Sequence, residues 1–277
     1  ALFVDRVGPA LAAIDEAADA ARDVLTEPRG LVRMTAPGDL GAAYLGPILA
    51  DFSRAHPLVE VYVDVSGRIV DLAREGFDLA LRAAASIDPS LVARPLAKDE
   101  TGLYASPAYL AARAVPRHPR DLTDHDHVLF RPSGASTALR LFGPEGAEEI
   151  VMVGGRLGTN EFSLLRELLM QGLGIGFLPA AVAAPPLENG ALARVLPDWS
   201  GPSGTLYLCH PAGRYLPAKV RVLRDFLATR FSPPPWHLTC EQARKVATSS
   251  AAVERREKPA AAKKKPAPKV TRLGRRS

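Results

Sequence analysis

Four groups of residues in this chain could do chemistry, and each suggests a different kind. Gly172, Gly174 and Gly176 in the run GLGIGF resemble a nucleotide loop, where small residues let backbone amides approach a phosphate. They follow a helical pattern and enter a strand, however, whereas a dinucleotide loop leaves a strand and opens a helix whose dipole meets the pyrophosphate. That order favours a structural role. His118, Asp124, His125, Asp126 and His127 crowd one segment with metal-ligand types. Ligands two residues apart on a loop, without a helix or a distant third His, make a weak metal site, so loop packing is favoured. Ser106, Ser133 and Ser136 have neither a GxSxG elbow nor an evident His partner, so nucleophilic catalysis has little support. No enzyme constellation, cofactor motif or metal site emerges. The fourth group binds rather than reacts. Arg82 closes an apolar strand pattern, where a buried guanidinium needs either a ligand carboxylate or phosphate, or a salt bridge to an internal acid. Arg131 is a weaker candidate of the same kind. At Pro37-Gly38-Asp39 a helix begins whose amides could hold an anion, unless Asp39 fills that place as its own cap.

These residues are positioned by an alternation of strands and helices. Val59, Val61, Val63 and Val65 alternate with polar residues, the pattern of a strand with one buried face. Ser66-Gly67 turns the chain, a short helix from Arg68 carries Ile69, Val70, Leu72 and Ala73 and stops at Gly76, and Phe77 to Leu81 reads as a second strand. The handedness of βαβ crossovers places both strands in one parallel sheet, with Ser66 and Arg82 at the carboxyl ends where ligands of such sheets bind. Leu31 to Ala36 and the helix through Phe52 precede this unit. Further on, Val128 to Phe130 is a short strand, Thr137 to Phe142 reads as a helical turn, Asn160 caps a helix over Glu161 to Gln171, and Pro217 to Phe231 is amphipathic. Two long extended crossings, near Leu91 to Leu103 and Val195 to Leu208, carry the chain to a second α/β lobe and back. A cleft between two lobes is the expected place for a small ligand.

The remaining features bound the class. The 277 residues, 47% hydrophobic and 23% charged, suit a soluble protein of one large or two modest domains. No apolar run approaches the roughly 18 residues of a membrane span, and the acids scattered through the first segment do not fit a secretory signal. A cytoplasmic location follows. Cys209 and Cys240 are far apart and suggest no disulfide framework. The net charge of +5 divides unevenly: from Pro233 onward there are 12 Lys+Arg and 3 Asp+Glu, and the remainder carries 23 and 27. Residues 232–277, with KPAAAKKKPAPK among them, therefore read as a disordered basic tail, either contacting DNA phosphates without sequence preference or merely solvating. At the other end, Phe3, Val7, Ala10, Ile14, Ala17, Ala21 and Val24 form an Ala-rich heptad seam over residues 1–29. The seam either packs on its own domain or pairs two chains. The polar opposite face favours a dimer helix.

Several runs, in this order, resemble the effector-binding domain of LysR-type transcriptional regulators: GLVRMTAP at Gly30, LGPILADFSRAHPLVEVYVDVS at Leu45, RIVDLAREGFDLALR at Arg68, SLVARPL at Ser90, LLMQGLGIGFLP at Leu168 and NGALARVLPDW at Asn189. The resemblance implies a periplasmic-binding-protein-like α/β fold over residues 30–231, with one subdomain of about 31–100 plus 204–231 and another of about 101–203. It implies a small-molecule effector in the cleft near Ala36, Pro37, Gly38, Asp39, Ser66, Arg82, Arg131, Asn160, Glu161 and Phe162, and no cofactor. It also implies a linker helix that pairs subunits into dimers or tetramers, and a DNA-binding helix-turn-helix that would lie before Ala1. Where the family commonly has Gly after the strand-ending Arg, this chain has Ala83-Ala84-Ala85, which narrows or reshapes the pocket. A solute-binding protein of the same fold, serving a transporter, is the alternative; an enzyme of that architecture is a third. From Arg82, Arg131 and the helix start, the effector is expected to carry a carboxylate.

Overall fold

The structure, a computed structural model, describes residues 27–131, 138–213 and 215–237, together with Val7. The heptad seam, Val7 apart, lies outside the described residues, as do Cys240 and the chain from residue 238 onward. The first lobe is built on β1 (Gly30–Ala36), β2 (Val59–Val65), β3 (Leu79–Ala84) and β4 (Leu91–Asp99), joined by the returning β12 (Gly204–Pro211) in the order β2-β1-β3-β12-β4. β1 pairs in parallel with both β2 and β3, and β12 runs antiparallel between β3 and β4. The parallel arrangement expected of the βαβ unit is therefore present, with β1 inserted between its two strands.

One face of this sheet is covered by two helices. The first, α1, runs as Gly38–Leu40, then Gly41–Leu45 in π geometry, then Gly46–Ala55. Pro47 has no N–H to return to Ala43 and its ring presses on that turn, which accounts for the widened stretch. The second, α6 (Ala218–Arg230), packs Val220, Leu223 and Leu227 with Phe52 and Ile48 of α1 onto Val32, Met34, Leu79, Leu81, Leu206 and Leu208. Each such side chain, fully buried, contributes about 1.5–3 kcal/mol of transfer free energy. A smaller cluster of Val70, Leu72, Phe77, Ala80 and Cys209 lies on the opposite face. Burial pushes the Cys209 thiol up to about 11, leaving it an inert core residue.

Four local expectations are corrected. The helix after β2 is only Leu72–Glu75, hereafter α2, because Asp71 accepts from the amides of Ala73 and Arg74 at 3.1 and 3.2 Å and so sets the start, leaving Ile69 85% exposed. It does end at Gly76, with φ of 72° and the Phe77 amide closing on the Leu72 carbonyl at 2.9 Å. The next strand begins at Leu79 rather than Phe77, since Asp78 is held to Arg33 by two hydrogen bonds of 2.8 Å, one in each direction. The helical turn expected up to Phe142 is a strand where it is described: Ala138–Phe142 is β7, paired antiparallel with β8 (Glu148–Met152) and clamped by Arg140 on Glu148 at 2.6 Å, while Thr137 lies outside the described residues. The chain after Ser232 does not leave the fold at once. Trp236 is 3% exposed and packs against Tyr44 and Phe231, so SPPPW belongs to the first lobe rather than to a disordered tail.

The second lobe places β5 (Thr101–Ala105) between β10 (Gly176–Pro179) and β11 (Ala193–Val195), both antiparallel to it. Beside them lie the parallel pair β6 (Val128–Phe130) and β9 (Leu157–Thr159) and the helices α3 (Pro107–Ala112), α4 (Phe162–Met170) and α5 (Ala180–Glu188). Two crossings join the lobes, Asp99 to Thr101 and Gly201 to Gly204, tied by the Gly201 amide on the Thr101 carbonyl at 3.1 Å.

Candidate functional site

The carboxyl ends of β1 and β2 finish level, Ala36 opposite Val65, and the Ser66 amide donates to the Ala36 carbonyl at 3.0 Å. Val65 is 53% exposed because its strand has reached the sheet's end, so the period-2 pattern fails at this last position. Pro37 then enters α1, and Gly38 stands where this opening meets the second lobe. A Cβ added to Gly38 would lie 3.6 Å from the Glu161 Oε1 and 3.9 Å from Val65 Cγ1. The two lobes thus meet at a residue without a side chain.

On the second lobe, β6 and β9 run in parallel toward the same region. The Arg131 amide extends their pairing to the Thr159 carbonyl at 2.7 Å, and its side chain crosses Gly158, with Cδ 3.1 Å from where a Cβ would stand. Arg131 Nε is buried and has no hydrogen-bond partner. Phe162 stacks on Phe130 with ring centroids 3.9 Å apart, fixing the start of α4 to the end of β6. The cap of α4 is Glu161, not the exposed Asn160: its Oε2 accepts from the Leu164 amide at 2.8 Å. An acid three residues before that amide is the usual capping arrangement, and Asn160 drew the assignment only because Asn is the commoner cap type.

Asp39 is not a cap either. It lies in the first turn of α1, where its Oδ1 accepts from the Leu40 amide at 2.8 Å. Burial raises its pKa, the Leu40 bond opposes that, Glu161 adds to it, and Arg166 on α4 draws it back. Asp99, at the end of β4, is raised to about 6 by burial and then by the charge of Asp39. The junction therefore gathers carboxylates, a feature hidden in the sequence because Asp39, Asp99 and Glu161 are far apart along the chain.

Arg82 sits differently. It is the fourth residue of β3, opposite Tyr207, on the face that carries Ala80 and the smaller cluster, and it donates to the Val70 carbonyl. Of the residues expected to share a ligand, the structure brings Ala36, Gly38 and Ser66 to the strand ends, Glu161 against Gly38, and Arg131, Asn160 and Phe162 to the facing ends of β6 and β9. Arg82 holds the segment before α2 instead.

The histidine loop is structural. His118 and Asp121 form a reciprocal cap on the 3-10 turn Pro119–Asp124, His125 Nδ1 meets the Tyr109 hydroxyl at 3.1 Å, and His127 Nε2 donates to the Leu122 carbonyl at 2.7 Å. Among the described residues no group of His, Cys, Asp and Glu could hold a metal, and no helix is long and apolar enough to cross a membrane. The glycines of GLGIGF carry the chain past β6: Gly174 has φ of 140°, a conformation suited to glycine, and the Ile175 amide binds the Asp126 carbonyl at 2.9 Å.

Two α/β lobes, joined by paired crossings and facing each other through strand ends and helix starts, define a small-molecule-binding domain of periplasmic-binding-protein-like fold. Residues 26–232 match the LysR substrate binding domain, and the chain belongs to that family as the effector-binding domain of a LysR-type transcriptional regulator. It is 31% identical over 221 residues to the probable HTH-type transcriptional regulator LtrA of Klebsiella pneumoniae, covering 79% of this chain and 71% of that protein. Over 231 residues it is 30% identical to the regulator PtxR of Pseudomonas aeruginosa, covering 82% and 73%. Among solved structures, the regulatory domain of AphB from Vibrio vulnificus shares 26% identity with a TM-score of 0.63, covering 74% of this chain and all of that one. The full-length AphB of Vibrio cholerae, a virulence activator, shares 25% with a TM-score of 0.66, covering 82% and 77%. These relatives are regulators, which favours that reading over transport.

Proposed function

We propose that this domain senses a small carboxylate-bearing metabolite in the cleft between its lobes and passes the bound state to a DNA-binding part of the same regulator, in the cytoplasm and without catalysing a reaction. The observation that carries the ligand class is Arg131: a guanidinium at the carboxyl end of a strand, with a buried Nε that has no hydrogen-bond partner, is suited to a carboxylate oxygen. Ala36, Pro37, Gly38, Ser66, Asn160 and Phe162 form the walls around it, and Asp39 and Glu161 confine the negative group of the ligand to the Arg131 side. Arg82 shapes the wall by holding Val70. The heptad helix pairs subunits, and the basic tail adds phosphate contacts that carry no sequence information.

The test is a thermal-shift survey of the full chain with acetate, benzoate, succinate and citrate, each beside its neutral amide. A ligand that binds only the folded state raises the melting midpoint in proportion to its saturation. At least one carboxylate should raise it while its amide does not; stabilisation by amides alone would remove the carboxylate reading.

A further inference from the structure

Glu161 does more at the opening between the lobes than cap its helix. Its Oε2 is taken by the Leu164 amide at 2.8 Å, while its Oε1 lies 3.6 Å from where a Gly38 Cβ would stand and, among the described residues, accepts no hydrogen bond. The cations that could neutralise it are engaged elsewhere. Arg166, on the same helix, donates to Glu167 through Nε and Nη2 at 3.3 and 2.9 Å, and Arg82 donates to the Val70 carbonyl. The Glu161 side chain is exposed, so its free oxygen stands beside Val65, whose Cγ1 is 3.9 Å from the same Gly38 position.

Arg131 is tied to this place through a shared neighbour. Thr159, which ends β9, accepts the Arg131 amide on its carbonyl at 2.7 Å and the Glu161 amide on its Oγ1 at 3.1 Å. The stacked rings of Phe130 and Phe162, each next in sequence to one of the two, lie 3.9 Å apart. Among the described residues the Arg131 side chain makes no hydrogen bond or ion pair, with Glu161 or with any other group. One strand end of the second lobe thus carries an unengaged guanidinium and an unengaged carboxylate oxygen that do not pair with each other.

We infer that the effector is a zwitterionic α-amino acid with an apolar side chain, its carboxylate on Arg131, its ammonium on the Glu161 Oε1 and its side chain toward Val65. The inference rests on the carboxylate reading of Arg131 and adds the second charge of the ligand. Charge-assisted hydrogen bonds at both ends fix the orientation of such a molecule. A ligand carrying carboxylates alone would leave Glu161 facing negative charge, and a repulsive contact of that kind is how a site rejects near relatives of its ligand. Val65, 53% exposed, supplies apolar surface for the side chain to cover.

The experiment is calorimetric titration of the full chain at pH 7.5 with leucine and phenylalanine, each beside its deaminated acid (isocaproate, hydrocinnamate) and its decarboxylated amine (isoamylamine, phenethylamine). At least one amino acid should bind about 10- to 150-fold more tightly than its deaminated acid, the worth of a hydrogen bond to a charged group. Glu161→Gln keeps an oxygen for the Leu164 amide and removes the charge, so it should bring amino acid and deaminated acid to nearly equal affinity. Should that variant not fold, Glu161→Ser, which also caps a helix, is read by the same criterion. A deaminated acid that binds as tightly as its amino acid, or a preference for the amino acid that survives Glu161→Gln, would overturn the zwitterion and leave the carboxylate reading standing. Binding by the amines alone would overturn both, and binding by neither amino acid would overturn the inference.

Discussion

The Tyr44 hydroxyl of the first lobe donates to the Ala181 carbonyl of the second at 2.8 Å. The helical donor to that carbonyl would be the amide of residue 185, which is proline and has none. A side chain from the facing lobe thus supplies the hydrogen bond that the helix's own sequence denies it, and the lobes are fastened where α5 is weakest. Tyr44→Phe should cost about 1–3 kcal/mol, the penalty of leaving a buried carbonyl unsatisfied. Adding Pro185→Ala, which restores the amide, should recover part of the loss. Urea unfolding of the two variants checks both, and an additive double variant would argue against the exchange of donors.

Trp236 extends the first lobe beyond its last helix. Its ring lies 5.1 Å from that of Tyr44 and 5.9 Å from that of Phe231. Trp236→Ala should destabilise by about 3–5 kcal/mol, as for other buried aromatics, and a chain ending at Ser232 should lose a similar amount.

How much of this was legible beforehand depended on whether a feature was local. The strands with clean alternation, the Gly76 stop and the two crossings were readable because each rests on residues adjacent in sequence. The start of α2 was misplaced because one Asp71 side chain outweighed the apolar spacing of Ile69 and Val70. The β7 strand was misread for a similar reason: Leu139 and Leu141 show its period, but five residues are too few to tell a strand from a turn. The carboxylates of the junction were invisible, since they come from the start of α1, the end of β4 and the cap of α4. Trp236 went unrecognised because prolines and the basic composition that follows masked a single buried aromatic.

Gly38 has room for one carbon and little more. Gly38→Ala places a Cβ at ordinary contact distances and replaces a poor helix former, so stability should change by no more than about 1 kcal/mol, in the favourable direction. Gly38→Leu should instead wedge Glu161 away, leaving the fold intact but the lobes apart. Solution scattering should then show a larger radius of gyration for the Leu variant than for the Ala variant; equal radii would contradict the close approach.

His127 is 3% exposed and its charging is opposed first by burial, with the Leu122 hydrogen bond partly offsetting. Its folded-state pKa is therefore below the ordinary value of about 6.5. A depressed pKa means that the unfolded chain binds the proton more readily, so the contribution is complete above about 6.5 and is lost as pH falls through the folded value. His127→Gln keeps a donor for Leu122 and should lose less stability than wild type between pH 7.5 and pH 5. Comparison of urea midpoints at the two values reads the difference, and parallel losses would count against a neutral buried imidazole.

The proposed effector sits against Arg131 rather than Arg82. Calorimetric titration of the carboxylate that gives the largest thermal shift, into wild type, Arg131→Ala and Arg82→Ala, tests that directly, with circular dichroism confirming that each variant is folded. Loss of a charged hydrogen-bond partner should weaken binding by about 1.5–3 kcal/mol, a factor of roughly 10 to 150, in Arg131→Ala, while Arg82→Ala should bind nearly as wild type and lose stability instead. Equal affinity in wild type and Arg131→Ala, or a loss confined to Arg82→Ala, would contradict the proposed site.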